Sequence, residues 1–322
     1  MIELANNVTY YQSEKKIASI LDEVLTGLAL PQKSLSPKFF YDQIGSELFD
    51  QICLLPEYYV TRTEVALLNT VIPELKPYIP AQYNLFELGS GSSDKVRALL
   101  DESPPEAYIC IDISADHLQN AAESLGKDYP KIDVHALCID YSEAWSVPLA
   151  LKSPNRLAFF PGSSIGNFSP QDAETLLKQV AKLVGPSGWL LIGVDLEKSV
   201  KVLESAYNDK QGITEAFNKN ALLNLNQLLG CSFDVDNFTH RAFYNDKEHR
   251  IEMHLVAQRA HSIELAGQRI NFNKNESIHT ENSYKYTLDS FANLAEKSGF
   301  EIQKQWVDES KLFSVHLCRA TF

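Results

Sequence analysis

At 322 residues with 44% hydrophobic content, the chain can bury a sizeable core in one large domain or two, which argues against disorder. A net charge of -13 and a sequence pI near 5.1 leave no basic face for a nucleic-acid backbone or an anionic membrane, so neither is an expected partner. The five cysteines, Cys53, Cys110, Cys138, Cys231 and Cys318, are odd in number, far apart and never in a CxxC arrangement, so no disulfide framework and no structural zinc site are expected.

The first residues, MIELANNVTYYQSEKK, contain no apolar signal core, and no apolar run approaches the ~18 residues of a membrane span. The cytoplasm is the default location, and the Asn-x-Ser/Thr matches at Asn7, Asn167, Asn237 and Asn275 then carry no glycosylation meaning. Residues 14–30 read as an amphipathic helix, with Ile17, Ile20, Leu21, Val24, Leu25 and Leu28 at helical spacing and Pro31 ending it. Residues 36–68 are dense in aromatics, namely Phe39, Phe40, Tyr41, Phe49, Tyr58 and Tyr59. Aromatics at helical spacing are ordinarily core, but the loop-like Leu55-Pro56-Glu57-Tyr58-Tyr59 lets a tyrosine present its hydroxyl.

Leu85 to Leu100, LFELGSGSSDKVRALL, reads as strand, glycine turn and helix. Glycines at such a crossing let backbone approach a ligand, and the helix that follows offers free amide donors. The pattern is GxG and not GxGxxG, which weakens a dinucleotide reading. Asp112, at the end of the run Ala107 to Ile111, stands close to the ~20-residue spacing at which an acid takes up ribose hydroxyls. With Glu87 inside the first strand, this suggests an adenosine ligand without pyrophosphate, and S-adenosylmethionine fits.

Five strand-like runs, 84–88, 108–112, 132–137, 156–160 and 189–194, alternate with helix-like segments at 93–101, 114–126 and 170–184. That alternation implies a parallel sheet with helices on both faces and ligands at the carboxyl ends of its strands. After Asp195 the pattern breaks into two helices over 197–231, with a turn at 207–212, and then a period-two meander over 233–286. A helix at 287–299 and strands near 301–306 and 312–319 complete what a seven-stranded methyltransferase sheet requires. The expected fold is therefore α/β: a class I, Rossmann-like sheet with an inserted α+β substrate-binding domain. Residues 62–196 and 287–322 are assigned to the cofactor domain, and 1–61 with 197–286 to the substrate domain.

Asp140-Tyr141 follows the third strand, where an acid can accept from an adenine amino group and a ring can stack; a cap or turn acid explains it as well. The stretch Phe159 to Asn167, FFPGSSIGN, makes either a polar floor beside the cofactor or an ordinary strand-to-helix loop. The eight histidines, His249, His254 and His261 among them, show no HExxH or similar spacing, so they read as strand or surface residues and no metal is expected.

Six blocks in one order, SPKFFYDQIGSELFDQICLLPEYYVTRTE, FELGSGSSDKVRALL, GSSIGNFSP, AYNDKQGITEAFNKN, RIEMHL and ENSYKY, closely resemble the histidine Nα-methyltransferases of ergothioneine biosynthesis, from about residue 34 to the C-terminus. The resemblance implies cofactor contacts at Gly89, Gly91, Lys95, Asp112, Asp140 and Tyr141. It implies a histidine site of Tyr58, Gly162, Asn167, Tyr207, Met253, Glu281 and Ser283, with Tyr41 near the reacting amine. In that scheme Asn167 and Tyr207 hold the α-carboxylate and amine, while Tyr58, Glu281 and Ser283 read the imidazole. The implied product is the trimethylated betaine hercynine, made by a monomer from L-histidine. Pro161, Ser92 and Tyr284 depart from the usual pattern. Two alternatives stand beside this one: a paralogue methylating another aromatic amino acid, and a non-catalytic protein that kept the cofactor fold.

Overall fold

The computed structural model describes residues 2–5, 7–12, 17–141, 145–148, 151 and 153–321. The chain begins with β1 (Ile2–Ala5), β2 (Val8–Gln12), α1 (Ile17–Ala29), β3 (Lys33–Ser34), α2 (Gln43–Cys53) and α3 (Tyr59–Val71). Alternation follows, as β4 (Asn84–Leu88), α4 (Asp94–Glu102), β5 (Ala107–Asp112), α5 (Ala115–Asp128), β6 (Asp133–Cys138), β7 (Arg156–Phe160), α6 (Pro170–Val184) and β8 (Trp189–Asp195). Then come α7 (Val200–Tyr207), α8 (Ile213–Leu229), β9 (Phe238–Asn245), β10 (Arg250–Ala257), β11 (His261–Leu265), β12 (Gln268–Phe272) and β13 (Ser277–Tyr284). The last elements are α9 (Leu288–Lys297), β14 (Phe300–Val307) and β15 (Phe313–Ala320). No described helix is long and apolar enough to cross a membrane.

The backbone divides into two compact units, one of Met1–Ser13, Tyr59–Lys198 and Tyr284–Phe322, the other of Glu14–Tyr58 and Ser199–Ser283. The first is built on a nine-stranded sheet in the order β1-β2-β6-β5-β4-β7-β8-β15-β14. β2, β6, β5, β4, β7 and β8 run parallel, while β1 and the β15–β14 pair are antiparallel to their neighbours. All five residues of β4 are buried, as a strand covered on both faces requires. Leu176, Leu177 and Val180 of α6 join Phe291 and Leu294 of α9 against Phe160 and Ile192 of the sheet. Farther along the same face, Phe86, Ile109, Ile111 and Leu137 pack with Val147, Leu151 and Leu183. Removing such side chains from water contributes about 1.5–3 kcal/mol each. Ser169 caps α6 by accepting the Asp172 N–H at 3.2 Å, and Pro170 opens its first turn.

The seven expected strands are present, with two more at the outer edge. Residues 1–61, assigned from sequence to the substrate domain, divide: β2 pairs in parallel with β6 and buries Val8 and Tyr10, so β1 and β2 belong to the large sheet. The chain runs outward from β4 through β5 to β6 and restarts at β7 on β4's other side, so the order reverses between β4 and β7. Ligands of open α/β sheets gather at the carboxyl ends of strands at such a reversal.

In the second unit β3, β13, β10 and β9 form one four-stranded sheet, in that order, and β11 with β12 a separate hairpin. The expected meander is thus two small sheets, because β11 and β12 pair with each other while β13 turns back onto β10, with β3 added in parallel at its outer edge. α8 carries buried asparagines that serve the aromatic segment. Asn220 donates to the Phe40 carbonyl at 3.0 Å and to Asp42 Oδ1 at 2.7 Å, and Asn224 donates to the Phe39 carbonyl at 2.9 Å. Asp42 in turn caps α2, accepting the Gly45 N–H at 2.8 Å. Tyr41 is fixed between these bonds.

Candidate active site

The loops at the sheet's reversal are shaped by backbone that only certain residues tolerate. Gly89 and Gly91 follow β4 with φ of 67° and 49°, in the left-handed region. The Gly89 N–H donates to the Ile111 carbonyl at 2.8 Å, and a Cβ placed on Gly89 would lie 3.0 Å from the Tyr141 hydroxyl. Asp112 closes β5 and is held by two amides: Gly91 N–H donates to Oδ2 at 3.0 Å and Ser114 N–H to Oδ1 at 3.0 Å. Asp140 lies half-buried after β6. Burial, then the carboxylates of Asp112 and Asp140, push the Tyr141 hydroxyl far above its usual range. Gly89, Gly91, Asp112, Asp140 and Tyr141 therefore meet at the ends of three adjacent strands. A cradle without side chains beside a fixed carboxylate and an aromatic ring suits a nucleoside such as that of S-adenosylmethionine.

Lys95 and Gly162 meet on a residue the sequence reading passed over. Glu64 of α3 is fully buried, and its two oxygens accept the Gly162 N–H at 2.8 and 2.9 Å. The Lys95 ammonium lies 2.6 Å from the same carboxylate. β8 passes so close that a Cβ on Gly193 would stand 2.0 Å from Glu64 Oε1. Asn167 ends the short turn Ser164–Asn167 and is half-buried.

A second buried carboxylate anchors the same loop. Asp195 ends β8 and accepts the Tyr59 hydroxyl at 2.8 Å, Lys285 at 2.8 Å and Lys198, while its own N–H donates to Ser163 Oγ at 2.8 Å. Two ammonium groups keep the Asp195 carboxyl below its usual range against the opposing effect of burial. Burial brings Lys198 down to about 8 although Asp195 favours its charge. Asp195, Lys198 and Lys285 carried no motif; the one sign was an acid closing an apolar strand, with lysines three and ninety residues on.

In the second unit, Tyr58, Tyr207, Glu281 and Ser283 form one buried cluster. The Tyr207 hydroxyl donates to, or accepts from, Ser283 Oγ at 2.8 Å, and the Tyr58 and Tyr207 rings lie edge to face at 6.2 Å. Burial, then Tyr207, Cys53, Glu281 and Tyr41, push the Tyr58 hydroxyl well above its usual range. The Tyr41 ring packs 5.5 Å from Phe217 and 6.0 Å from Phe49. Met253 of β10 is buried, and its carbonyl accepts the Thr280 hydroxyl at 3.0 Å. Of the residues assigned to substrate, Gly162 and Asn167 belong to the first unit and Tyr41, Tyr58, Tyr207, Met253, Glu281 and Ser283 to the second.

Known proteins are similar to this chain over nearly its whole length. The model of the histidine-specific, SAM-dependent methyltransferase family matches residues 20–320. The chain is 37% identical over 325 residues to a histidine N-alpha-methyltransferase of Mycolicibacterium smegmatis, covering 98% of each chain. It is 36% identical to the Mycobacterium tuberculosis protein of the same name, over 92% of this chain and 93% of that one. An ergothioneine biosynthesis protein 1 of Neurospora crassa is 29% identical over 88% of this chain, which matches 33% of that protein. In fold, magnesium protoporphyrin IX methyltransferase from Synechocystis, solved with bound SAH, superposes with a TM-score of 0.50 at 8% identity, over 88% of this chain and 98% of that one. With family likeness from residue 20 to residue 320 and 37% identity to a relative over nearly its whole length, the chain belongs to the histidine-specific, S-adenosylmethionine-dependent methyltransferases.

Proposed function

We propose that the protein methylates the α-amine of L-histidine three times, giving hercynine, the first step of ergothioneine biosynthesis. The observation that carries this reading is the buried group of Glu281, Ser283 and Tyr207, in a chain 37% identical to a histidine N-alpha-methyltransferase. Bound S-adenosylmethionine would supply a sulfonium methyl: as the amine lone pair forms the N–C bond, the C–S bond breaks and S-adenosylhomocysteine leaves as the neutral thioether. Gly89, Gly91, Lys95, Asp112, Asp140 and Tyr141 are assigned to hold it.

A neutral imidazole has one N–H and one lone pair. Glu281 accepts the first. Ser283, taking its proton partner from Tyr207, offers its own hydroxyl hydrogen to the second. Such a site rejects substrates that leave its buried polar groups unpaired. Tyr58 and Met253 bound the ring, Asn167 supplies a neutral amide donor to the carboxylate, and Gly162, whose N–H is held by Glu64, adds no side chain to that end of the site. With its hydrogen on Ser283, the Tyr207 oxygen keeps lone pairs for the amine N–H, and Tyr41 flanks that amine. Holding the amine in line supplies most of the rate, because the step needs little covalent help. Each transfer leaves a cationic amine that gives its proton to solvent before the next, so the acceptor site must tolerate a substrate that loses N–H groups stepwise.

The test is mass spectrometry of purified protein incubated with S-adenosylmethionine and an equimolar mixture of the twenty amino acids. A gain of three methyl groups on histidine alone is expected, and Glu281→Ala lowers kcat/KM for histidine by about two orders of magnitude or more. Methylation of a different amino acid overturns the imidazole assignment, and no methylation of any overturns the proposed reaction.

A further inference from the structure

The histidines showed no ligand spacing in sequence, yet strand pairing gathers two of them with an acid. Glu252 and His254 share one face of β10, and His279 comes from β13 beside it. Each offers one ligand atom, and these atoms all lie within 4.8 Å of one another. Glu252 and His254 are buried and His279 is half-buried, which leaves one side for entry. The two imidazole rings stack at 4.6 Å with 8° between their planes.

What surrounds the three donors is the arrangement that orients metal ligands. A ligating histidine ordinarily uses its second nitrogen on a protein oxygen, which sets the tautomer. His279 places Nε2 3.1 Å from the Glu281 carbonyl, which can only accept, so that nitrogen carries the hydrogen and Nδ1 the lone pair. His254 places Nδ1 3.2 Å from Ser277 Oγ and Nε2 2.9 Å from Glu252 Oε2. Glu252 is tethered by its other oxygen, Oε1, which accepts from Asn245 at 2.8 Å and from Arg250 at 2.9 and 2.7 Å. Every donor is thus held from behind, and the 2.9 Å contact between Glu252 and His254 is the bond a cation would replace. The hydroxyl of Ser277 both donates and accepts, so His254 can exchange tautomers and free Nε2 without losing its partner.

The geometry points to a divalent transition-metal site of the zinc class at Glu252, His254 and His279, with water completing the coordination and the ion pinning β10 to β13. Two imidazoles and one carboxylate match the ligands zinc takes, at about 2.0–2.2 Å each. Its place is structural, since none of the three residues belongs to the set assigned to the methyl transfer.

The experiment uses tag-free full-length protein, stripped with a chelator and then given Zn2+ or Co2+. One equivalent retained through dialysis, with a higher Tm, is expected for the wild type. His279→Gln and Glu252→Gln, each confirmed folded by circular dichroism, should retain none and show no rise in Tm. The Co2+ form reads the ligands without any substitution: a four- or five-coordinate spectrum lacking the thiolate charge-transfer band supports the site. Failure of the wild type to retain an equivalent overturns it, as does undiminished binding by the folded variants or a thiolate band traced to the cysteines.

Discussion

Glu87 lies in the middle of β4 with 1% of its surface exposed, and burial raises its carboxyl from 4.5 to about 8 in spite of the Tyr108 hydroxyl and Lys95, which both favour the charged form. The Tyr108 hydroxyl donates to it, and Ser93 Oγ lies 3.2 Å from that hydroxyl. A group whose folded value lies above its unfolded value binds its proton more tightly when folded. Its contribution is complete below about 4.5 and is lost as pH rises through about 8. Each unit of separation corresponds to about 1.4 kcal/mol. The wild type should therefore lose up to a few kcal/mol of this kind over that window, and Glu87→Gln should flatten the curve; urea unfolding at several pH values decides it. In sequence Glu87 was legible as the acid of an ExGxG strand. That folding keeps it protonated was not, because the cause is burial among Tyr108, Glu64 and Asp112, which arrive from other elements.

At the scale of the element, β8 illustrates how strand packing sets the loop chemistry. A methyl on Gly193 would meet Glu64 Oε1 at 2.0 Å and the Phe313 ring at 2.9 Å. Overpacking of this kind costs about 1–3 kcal/mol. Gly193→Ala should lower the urea midpoint and also loosen the Gly162 loop, whose amide depends on Glu64; an unchanged midpoint would count against the close approach. Most elements could be read from period and punctuation: glycines after β4, Ser169-Pro170 before α6, and the break after Asp195. β1 and β2 could not, because a short alternating run at the chain start gives no sign of which edge it joins. The parallel pairing of β3 with β13 was equally hidden, since two residues carry no period at all. Tyr58 and Tyr207 were named from resemblance, whereas Glu64 and Asp195 belong to no motif and emerge only when strands and helices are brought together.

For the molecule as a whole, the nine-stranded sheet depends on its first dozen residues. Val8 and Tyr10, 1% and 4% exposed, cover the outer edge of β6. Deleting residues 1–12 should cost on the order of a few kcal/mol from these two side chains and bare a parallel edge. A lower Tm and a tendency to associate are expected; an unchanged Tm would mean the edge strands are dispensable. Three of the chain's four crossings between its units fall at Tyr58–Tyr59, Lys198–Ser199 and Ser283–Tyr284. Tyr59, Lys198 and Lys285, each at or one residue beyond such a crossing, all bond the carboxylate of Asp195. The stretch 199–283 therefore leaves and re-enters the first unit at one clasp, and a loop whose ends are already held together has little closure entropy left to lose. That stretch can be exchanged by grafting at Lys198 and Lys285 together with residues 14–58, whose Phe39, Phe40, Asp42 and β3 it holds, while the strands behind the clasp keep their register. A new specificity can thus be acquired as a cassette.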